Sequence, residues 1–187
     1  MWLPQGEEAL AFLQTHLKNP NLVKHCIATA AILRALARRF GEDEALWGTT
    51  GLFHDLDLDL VGQDMTRHAR VTVDLLREKG FPEEGLQAIL AHNGDVLGVE
   101  PRSRFEIALL AAETTTGMIV ATALVQPGRR LADVAVPSIL KRMKEKRFAA
   151  GVDRSKIQLC ERLGMTLEEF LGLSLAAMQG VADRMGL

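Results

Sequence analysis

Residues 51–57 read Gly-Leu-Phe-His-Asp-Leu-Asp, which places His54 and Asp55 side by side in an otherwise apolar segment. Such a pair alone carries little information. Three further histidines, His25, His68 and His92, lie on separate predicted helices. Imidazoles and carboxylates that converge from several helices are what a divalent metal site requires. The sequence therefore predicts a helical protein organised around a metal.

Apolar residues recur at helical spacing through almost the whole chain, and no segment shows the alternation typical of a strand. We expect one all-α domain over residues 1–187, with a core at about 21–128 and a C-terminal helical extension at about 129–187 packed on it. Asn21 is the predicted N-cap of the second helix, and Thr166 begins a capping-box sequence before the last. The predicted helices cover residues 7–18, 22–40, 43–58, 66–79, 82–92, 104–125, 137–146 and 167–185.

Composition excludes several classes of function. The chain has 187 residues, 48% of them apolar, and a net charge of −2, so nothing in its overall charge favours nucleic acid or an acidic membrane as a partner. Its two cysteines, Cys26 and Cys160, fit a reducing compartment, and the N-terminus lacks the pattern of a signal peptide. Residues 107–125 are apolar enough to raise the question of a membrane span, but Glu113 lies near their centre. We expect a buried core helix and a cytoplasmic protein.

The candidate ligands share one property, a polar side chain on the apolar face of a helix. Each alone has an ordinary explanation, since a buried histidine usually forms a hydrogen bond and a buried glutamate usually pairs with Arg or Lys. Five such positions on five helices instead favour a metal site. Nitrogen and oxygen ligands without cysteine suit Mn, Fe, Co, Ni or Zn, as one or two ions. The predicted ligands are His25, His54, Asp55, His68, His92 and Glu113.

With this set of residues the chain resembles the HD-domain superfamily of metal-dependent phosphohydrolases, and more narrowly a bacterial branch of small stand-alone HD-domain proteins. The resemblance covers residues from about 21 to 185. It includes Leu-Phe-His-Asp-Leu-Asp at 52–57, Ala-His-Asn at 91–93 and the run from Ser138 to Arg154. The fold that it implies is an HD-domain-like helical bundle.

The resemblance also implies roles for the ligands. In the family one metal is held by a first histidine, the His-Asp pair and a later aspartate, which correspond to His25, His54, Asp55 and position 113. This chain departs from the family there, because Glu113 stands in place of the aspartate and reaches one methylene further. Members that bind two metals use two extra histidines, and His68 and His92 match these in order.

The chemistry implied is hydrolysis of a phosphomonoester or a nucleotide by a metal-activated water. Asp57 and Asp59 are the predicted catalytic acid or base groups, with a solvent-exposed helix end as the alternative. Lys141, Lys144 and Arg154 are the predicted contacts to the substrate phosphate, with a solvated basic surface as the alternative.

Two other functions remain open at this point. Some HD-domain proteins carry a di-iron centre and oxidise their substrate with oxygen, and six matched positions allow this. A non-catalytic binding or signalling module with a decayed metal site is the third interpretation, and Glu113 is its best argument. The sequence leaves open the substrate, the physiological metal, the number of ions and whether the chain forms an oligomer.

Overall fold

The computed structural model describes residues 1–62 and 64–187, and within these residues the regular structure is entirely helical. This confirms the all-α prediction. The α-helices are numbered α1 to α12 in chain order, and short 3-10 turns lie at Leu131–Asp133 and Leu159–Leu163. The helices cover Gly6–His16, Pro20–Phe40, Glu44–Phe53, Leu58–Val61, Arg70–Glu78, Glu83–His92, Gly94–Leu97, Arg104–Leu124, Val136–Met143, Arg154–Gln158, Leu167–Gln179 and Ala182–Met185.

The two longest helices, α2 and α8, form the centre of the bundle. Helix α2 packs against α3, α8 and α11, and α8 packs in addition against α6, α9 and α10. The buried apolar side chains form one continuous cluster that extends from Ala9 in α1 to Met185 in α12. The later helices therefore share a hydrophobic core with those that precede them.

Helix α8 is the apolar helix that raised the question of a membrane span. By length and composition it could cross a bilayer, but 67% of its most apolar window is buried inside the protein. Among its side chains Phe105, Leu109 and Ile119 are almost fully enclosed. This agrees with the prediction of a buried core helix.

The helix starts follow ordinary capping chemistry, with one correction to the prediction. Asn19, and not Asn21, is the N-cap of α2: its side chain accepts a hydrogen bond from the Asn21 N–H at 3.0 Å. Pro20 occupies the first helical position, where its missing N–H costs nothing. The predicted capping box at Thr166 is confirmed, since Thr166 and Glu169 exchange reciprocal hydrogen bonds.

The helices beside the His-Asp pair are shorter than predicted. The helix expected over 43–58 ends at Phe53, because the chain tightens there into i→i+3 bonds from Leu56 N to Phe53 O and from Leu58 N to Asp55 O. The helix expected from residue 66 begins only at Arg70, since Ala69 before it has φ 69°. Left-handed backbone at a non-glycine residue costs about 1–3 kcal/mol and is typical of functional sites.

The C-terminal helices also end earlier than predicted. The helix expected over 137–146 ends at Met143. The last predicted helix divides into α11 and α12 at Gly180, because glycine and the β-branched Val181 are poor helix formers. Between α6 and α8, where the sequence predicts no helix, the short α7 covers Gly94–Leu97.

Candidate metal centre

A close approach of α2 and α3 places the first two histidines together. A Cβ atom added at Gly51 would lie 2.8 Å from Leu33 Cδ1 and 3.1 Å from the Ala30 Cα, so only glycine allows the two helices to pack at this distance. His25 projects from α2, and His54 lies immediately after α3 ends. Gly51 therefore allows the close packing of α2 and α3 that brings His25 and His54 together.

One group of potential ligand atoms is formed by His25, His54 and Asp55. The two histidine Nε2 atoms lie 3.1 Å apart. Asp55 Oδ2 lies 3.5 Å from His25 Nε2 and 3.4 Å from His54 Nε2. We call these three residues the first triad.

A second group is formed by Asp55, His68 and His92. The Nε2 atoms of the two histidines lie 3.0 Å apart, and each is 3.4 Å from Asp55 Oδ1. This second triad therefore uses the other oxygen of the same carboxylate. Asp55 bridges the two triads, as a carboxylate does between paired metal ions.

The spacings fit coordination of a transition metal. Two ligand atoms held about 2.1 Å from one ion are about 3.0 Å apart at right angles and about 3.4 Å apart at the tetrahedral angle. The observed separations in the two triads run from 3.0 to 3.5 Å. Each triad can therefore hold an ion without rearrangement and leaves further coordination positions free.

The hydrogen bonds of the Nδ1 atoms indicate the tautomer of each of the four histidines in the two triads. His54 Nδ1 donates to the Gly51 carbonyl at 2.8 Å, and His92 Nδ1 donates to the Ile89 carbonyl. A neutral imidazole has only one N–H, so in the neutral form Nε2 of each ring carries a lone pair and no proton. Burial lowers the pKa of His92, but Asp55 beside it outweighs that effect and raises the pKa above its usual value. Burial also lowers the pKa of His54 to about 3, which keeps this ring neutral.

The other two histidines follow the same rule with side-chain acceptors. His68 Nδ1 donates to Asp57 Oδ1 at 2.8 Å. His25 Nδ1 donates to Thr116 Oγ1 at 2.8 Å, because the hydroxyl of Thr116 is itself donated to the Glu113 carbonyl at 2.7 Å. Thr116 was missed in the sequence, although it lies one turn after Glu113 on α8.

With the imidazoles neutral, four lone pairs and one carboxylate thus converge on a small volume. Burial alone would raise the pKa of Asp55, but the surrounding histidines, His54 foremost, hold it well below its usual range. Lone pairs at these separations repel one another and the carboxylate unless a cation lies between them. The donor set therefore fits one or two divalent cations, and histidines held through their second nitrogen are typical of metal sites.

Asp57 lies behind the second triad. Its side chain is fully buried and accepts hydrogen bonds from His68 Nδ1 and, at 2.9 Å, from the Thr72 N–H. It orients a ligand and has no exposed oxygen to offer a substrate. Its prediction as a catalytic acid or base therefore has no support in these contacts, although its position next to the centre was foreseen.

Asp59 has a different set of partners. Its Oδ2 accepts hydrogen bonds from the backbone N–H groups of Lys18 (2.5 Å) and Asn19 (3.2 Å), where α1 passes into α2. It belongs to neither triad. These contacts give Asp59 a structural role, and its prediction as a catalytic group is likewise unsupported.

Glu113 lies beside the centre but belongs to neither triad. Burial raises the pKa of its carboxyl, an effect that the hydrogen bond from Thr114 Oγ1 at 2.5 Å partly offsets. His25 and His92 lower this pKa as well, which shows that the carboxylate lies close to the two rings. Its prediction as a metal ligand stays a prediction.

We expect Glu113→Gln to weaken metal binding about tenfold, because a negative charge beside the cation is removed whether or not it coordinates. Glu113→Asp keeps the charge and is the matched control, expected to retain most of the affinity. Metal titration of both variants measures the effect. Equal affinity in Glu113→Gln and the wild-type protein would contradict a role for Glu113 in the centre.

The predicted substrate-binding residues lie in and around α9 and α10. Lys141 and Lys144 are exposed. Arg154 is already hydrogen-bonded to nearby backbone. Its guanidinium donates to the carbonyl oxygens of Met143, Glu145, Phe148 and Val152. It therefore organises the turn before α10 and has little capacity left for a phosphate. Binding of substrate by these residues stays a prediction without geometric support.

The centre opens to solvent on the side of His25. Its side chain is 23% exposed, against 1% for His54 and 6% for His92. Two cavities meet at this edge, and both are lined by His25, Thr116 and Gly117. The first, of about 280 Å³, is also lined by Glu113 and by residues 151–153 and 156. A ligand therefore reaches the metal centre past His25.

Comparison with known proteins yields a family and several partial relatives. A model of the HD domain family matches residues 22–121. Ribonuclease Y of Acholeplasma laidlawii is 30% identical over 139 residues, which is 72% of this chain and 24% of the relative. Ribonuclease Y of Lactobacillus acidophilus is 32% identical over 131 residues, 59% of this chain and 23% of the relative. The chain thus spans about a quarter of the length of these relatives, and no solved structure matches it.

Proposed function

Because this chain belongs to the HD domain family, which is part of a superfamily of metal-dependent phosphohydrolases, we propose that it hydrolyses a phosphomonoester or a nucleotide at the two triads. One observation carries the proposal: four histidine Nε2 atoms surround a shared carboxylate at separations that suit divalent ions. A closed structural site would surround its ion completely, whereas each triad supplies only three ligand atoms.

The residues of the centre have distinct roles: some supply ligand atoms, and others orient the histidine rings. The four histidines direct lone pairs inward, and Asp55 supplies the negative charge between the triads. The Nδ1 proton of His54 is donated to the Gly51 carbonyl, that of His25 to Thr116 and that of His68 to Asp57. These hydrogen bonds prevent the rings from turning away. A divalent ion bound there lowers the pKa of a water molecule and polarises a phosphoryl oxygen.

The surroundings support the same chemistry. His54, His68 and His92 are buried, and among the four histidines His25 is the most exposed to solvent. Electrostatic interactions at a partly enclosed site of this kind are stronger than in water. Mn, Fe, Co, Ni and Zn all accept such nitrogen and oxygen ligands, and we propose one or two of these ions as the cofactor.

We expect the metal-loaded protein to release inorganic phosphate from at least one small phosphorylated compound, and chelation to abolish the release. The measurement is a screen of nucleotides and sugar phosphates with Mn, Co and Ni. Because the relatives are named as ribonucleases, the screen includes an RNA oligonucleotide, with chain cleavage as a separate readout. His54→Ala, purified identically, is the control for a contaminating phosphatase.

Two outcomes of this screen would contradict the proposal. One is the absence of chelator-sensitive phosphate release from every compound when the metal content of the protein has been measured and is high. The other is equal release by the wild-type protein and His54→Ala. Cleavage of RNA without release of phosphate from small compounds would replace the small substrate with a polynucleotide.

The shared carboxylate also favours a second candidate, a di-iron oxygenase. Asp55 places the two triads close enough for a pair of ions, and such a pair serves redox chemistry as well as hydrolysis. Stoichiometric iron, a mixed-valent spectrum and substrate-dependent oxygen consumption would identify this activity. Failure to retain any metal would instead favour the non-catalytic module.

A further inference from the structure

The second cavity at the exposed edge of the metal centre is the larger of the two. It measures about 530 Å³, within the range typical of small-molecule sites. Helix α2 contributes one wall, α8 a second, and the chain after α12 closes the end. Because it is also lined by His25, Thr116 and Gly117, anything bound in it would reach the first triad directly.

Most of this cavity is apolar away from the metal. Ala28, Val120, Leu124 and Met185 line it, and no acidic side chain does. Leu124 is 49% exposed, so its side chain is accessible to a ligand. A surface of this kind suits an apolar or aromatic group.

Lys24 is the cation of the cavity. It precedes His25 on α2, is partly buried and lines the wall next to that ligand. A Cβ atom added at Gly186 would lie 3.6 Å from its Nζ, so the ammonium lies beside Gly186, which also lines the cavity. Within residues 1–62 and 64–187 no carboxylate forms an ion pair with it. Its charge is therefore available to an anion.

The first cavity differs in the pairing of its cation and in the acidic residues that line it. Its cation, Lys156, is paired with Asp95 at 2.6 Å. Glu113 and Asp153 also line it, and their carboxylates would repel a phosphate. Of the two routes from His25, only the second combines a free positive charge with an apolar wall.

We infer that the cavity between α2, α8 and α12 binds the organic part of the substrate, and that the substrate is a phosphomonoester with an apolar or aromatic group. This rests on the proposed function. The phosphoryl group lies against the first triad, Lys24 neutralises its remaining charge, and the apolar group lies along Val120 and Leu124. Lys24 is then the residue that binds the phosphoryl group, in place of Lys141, Lys144 and Arg154.

The test measures binding and does not depend on turnover. Metal-loaded protein is titrated calorimetrically with 1-naphthylphosphonate and with methylphosphonate, which share the phosphonate but differ in the organic group. We expect the naphthyl compound to bind at least about tenfold more tightly, because it buries apolar area that the methyl compound lacks. Phosphate release from 1-naphthyl phosphate and glycerol 2-phosphate is measured in parallel.

Three variants assign the contributions. Lys24→Met keeps the aliphatic stem and is expected to weaken both phosphonates about tenfold. Leu124→Gln, at an exposed position, is expected to weaken only the naphthyl compound, about threefold to fivefold. Lys18→Met removes an equivalent charge from an exposed lysine outside the cavity and is expected to change neither.

Equal affinity for the two phosphonates, or equal affinity in Lys24→Met and Lys18→Met, would overturn the inference. Absence of binding of either compound to metal-loaded protein would do so as well. Failure of the proposed function has a different signature. In that case the phosphonates bind and respond to the variants as described, while neither phosphate ester is hydrolysed.

Discussion

Asp55→Asn is expected to remove both metal sites at once, because one carboxylate serves the two triads. Losing only the hydrogen-bond partner of a ligand costs 10–100-fold in metal affinity. Replacing a shared anionic ligand with a neutral amide is therefore expected to cost at least about 100-fold at each site. Hydrolytic activity falls with it. His54→Ala changes only the first triad and is expected to retain metal in the second.

Elemental analysis of protein purified without chelator measures the effect. Asp59→Asn is the matched control, since it makes the same chemical change four residues away at a carboxylate that binds only backbone N–H groups. It is expected to keep the metal content of the wild-type protein. Equal metal content in Asp55→Asn and Asp59→Asn would sink the assignment of both triads.

Removal of the metal is expected to lower the thermal stability of the wild-type protein by about 5–10 °C. A ligand present at 100 times its dissociation constant stabilises the folded state by about 2.7 kcal/mol. For a chain of this length each kcal/mol shifts the melting temperature by about 2–4 °C. The physical cause is the convergence of the four Nε2 atoms and the Asp55 carboxylate, which a divalent cation binds in the folded state alone.

Thermal unfolding in the presence of EDTA, and again after Mn or Zn is restored, measures this shift. Asp55→Asn in the same series separates specific binding from general effects of ions, because it is expected to melt at the same temperature with and without metal. A wild-type melting temperature that does not respond to EDTA or to added metal would contradict a metal centre in the folded protein.

Much of this organisation could be predicted from the sequence. Five of the six predicted ligands converge. His25 and His92 lie on the buried faces of α2 and α6, as the helical pattern predicts, whereas His54, Asp55 and His68 lie in the turns after α3 and before α5. The exception is Glu113, whose position on α8 was predicted. Its side-chain direction depends on the hydrogen bond from Thr114, which spacing alone does not reveal.

Other features depended on contacts that a linear pattern does not contain. Asp57 and Asp59 are two residues apart and were assigned one role, yet the chain turns between them and gives them unrelated partners. Arg154 was interpreted from its charge, and only the fold shows that backbone carbonyls already surround it. A role for Lys24 could not be predicted from the sequence, because a lone lysine on a helix is ordinary until its neighbours are known.

The residues that line the second cavity come from two separate parts of the sequence, which bears on how the protein can evolve. The metal ligands His25 to His92 lie within the stretch that matches the HD domain family, whereas Met185 and the residues after it lie outside residues 22–121. The candidate metal centre and part of the pocket that we propose for the organic group are thus encoded in separate parts of the gene. Mutation can then change what the protein selects without disturbing how it binds metal, and two relatives with the same ligands need not share a substrate.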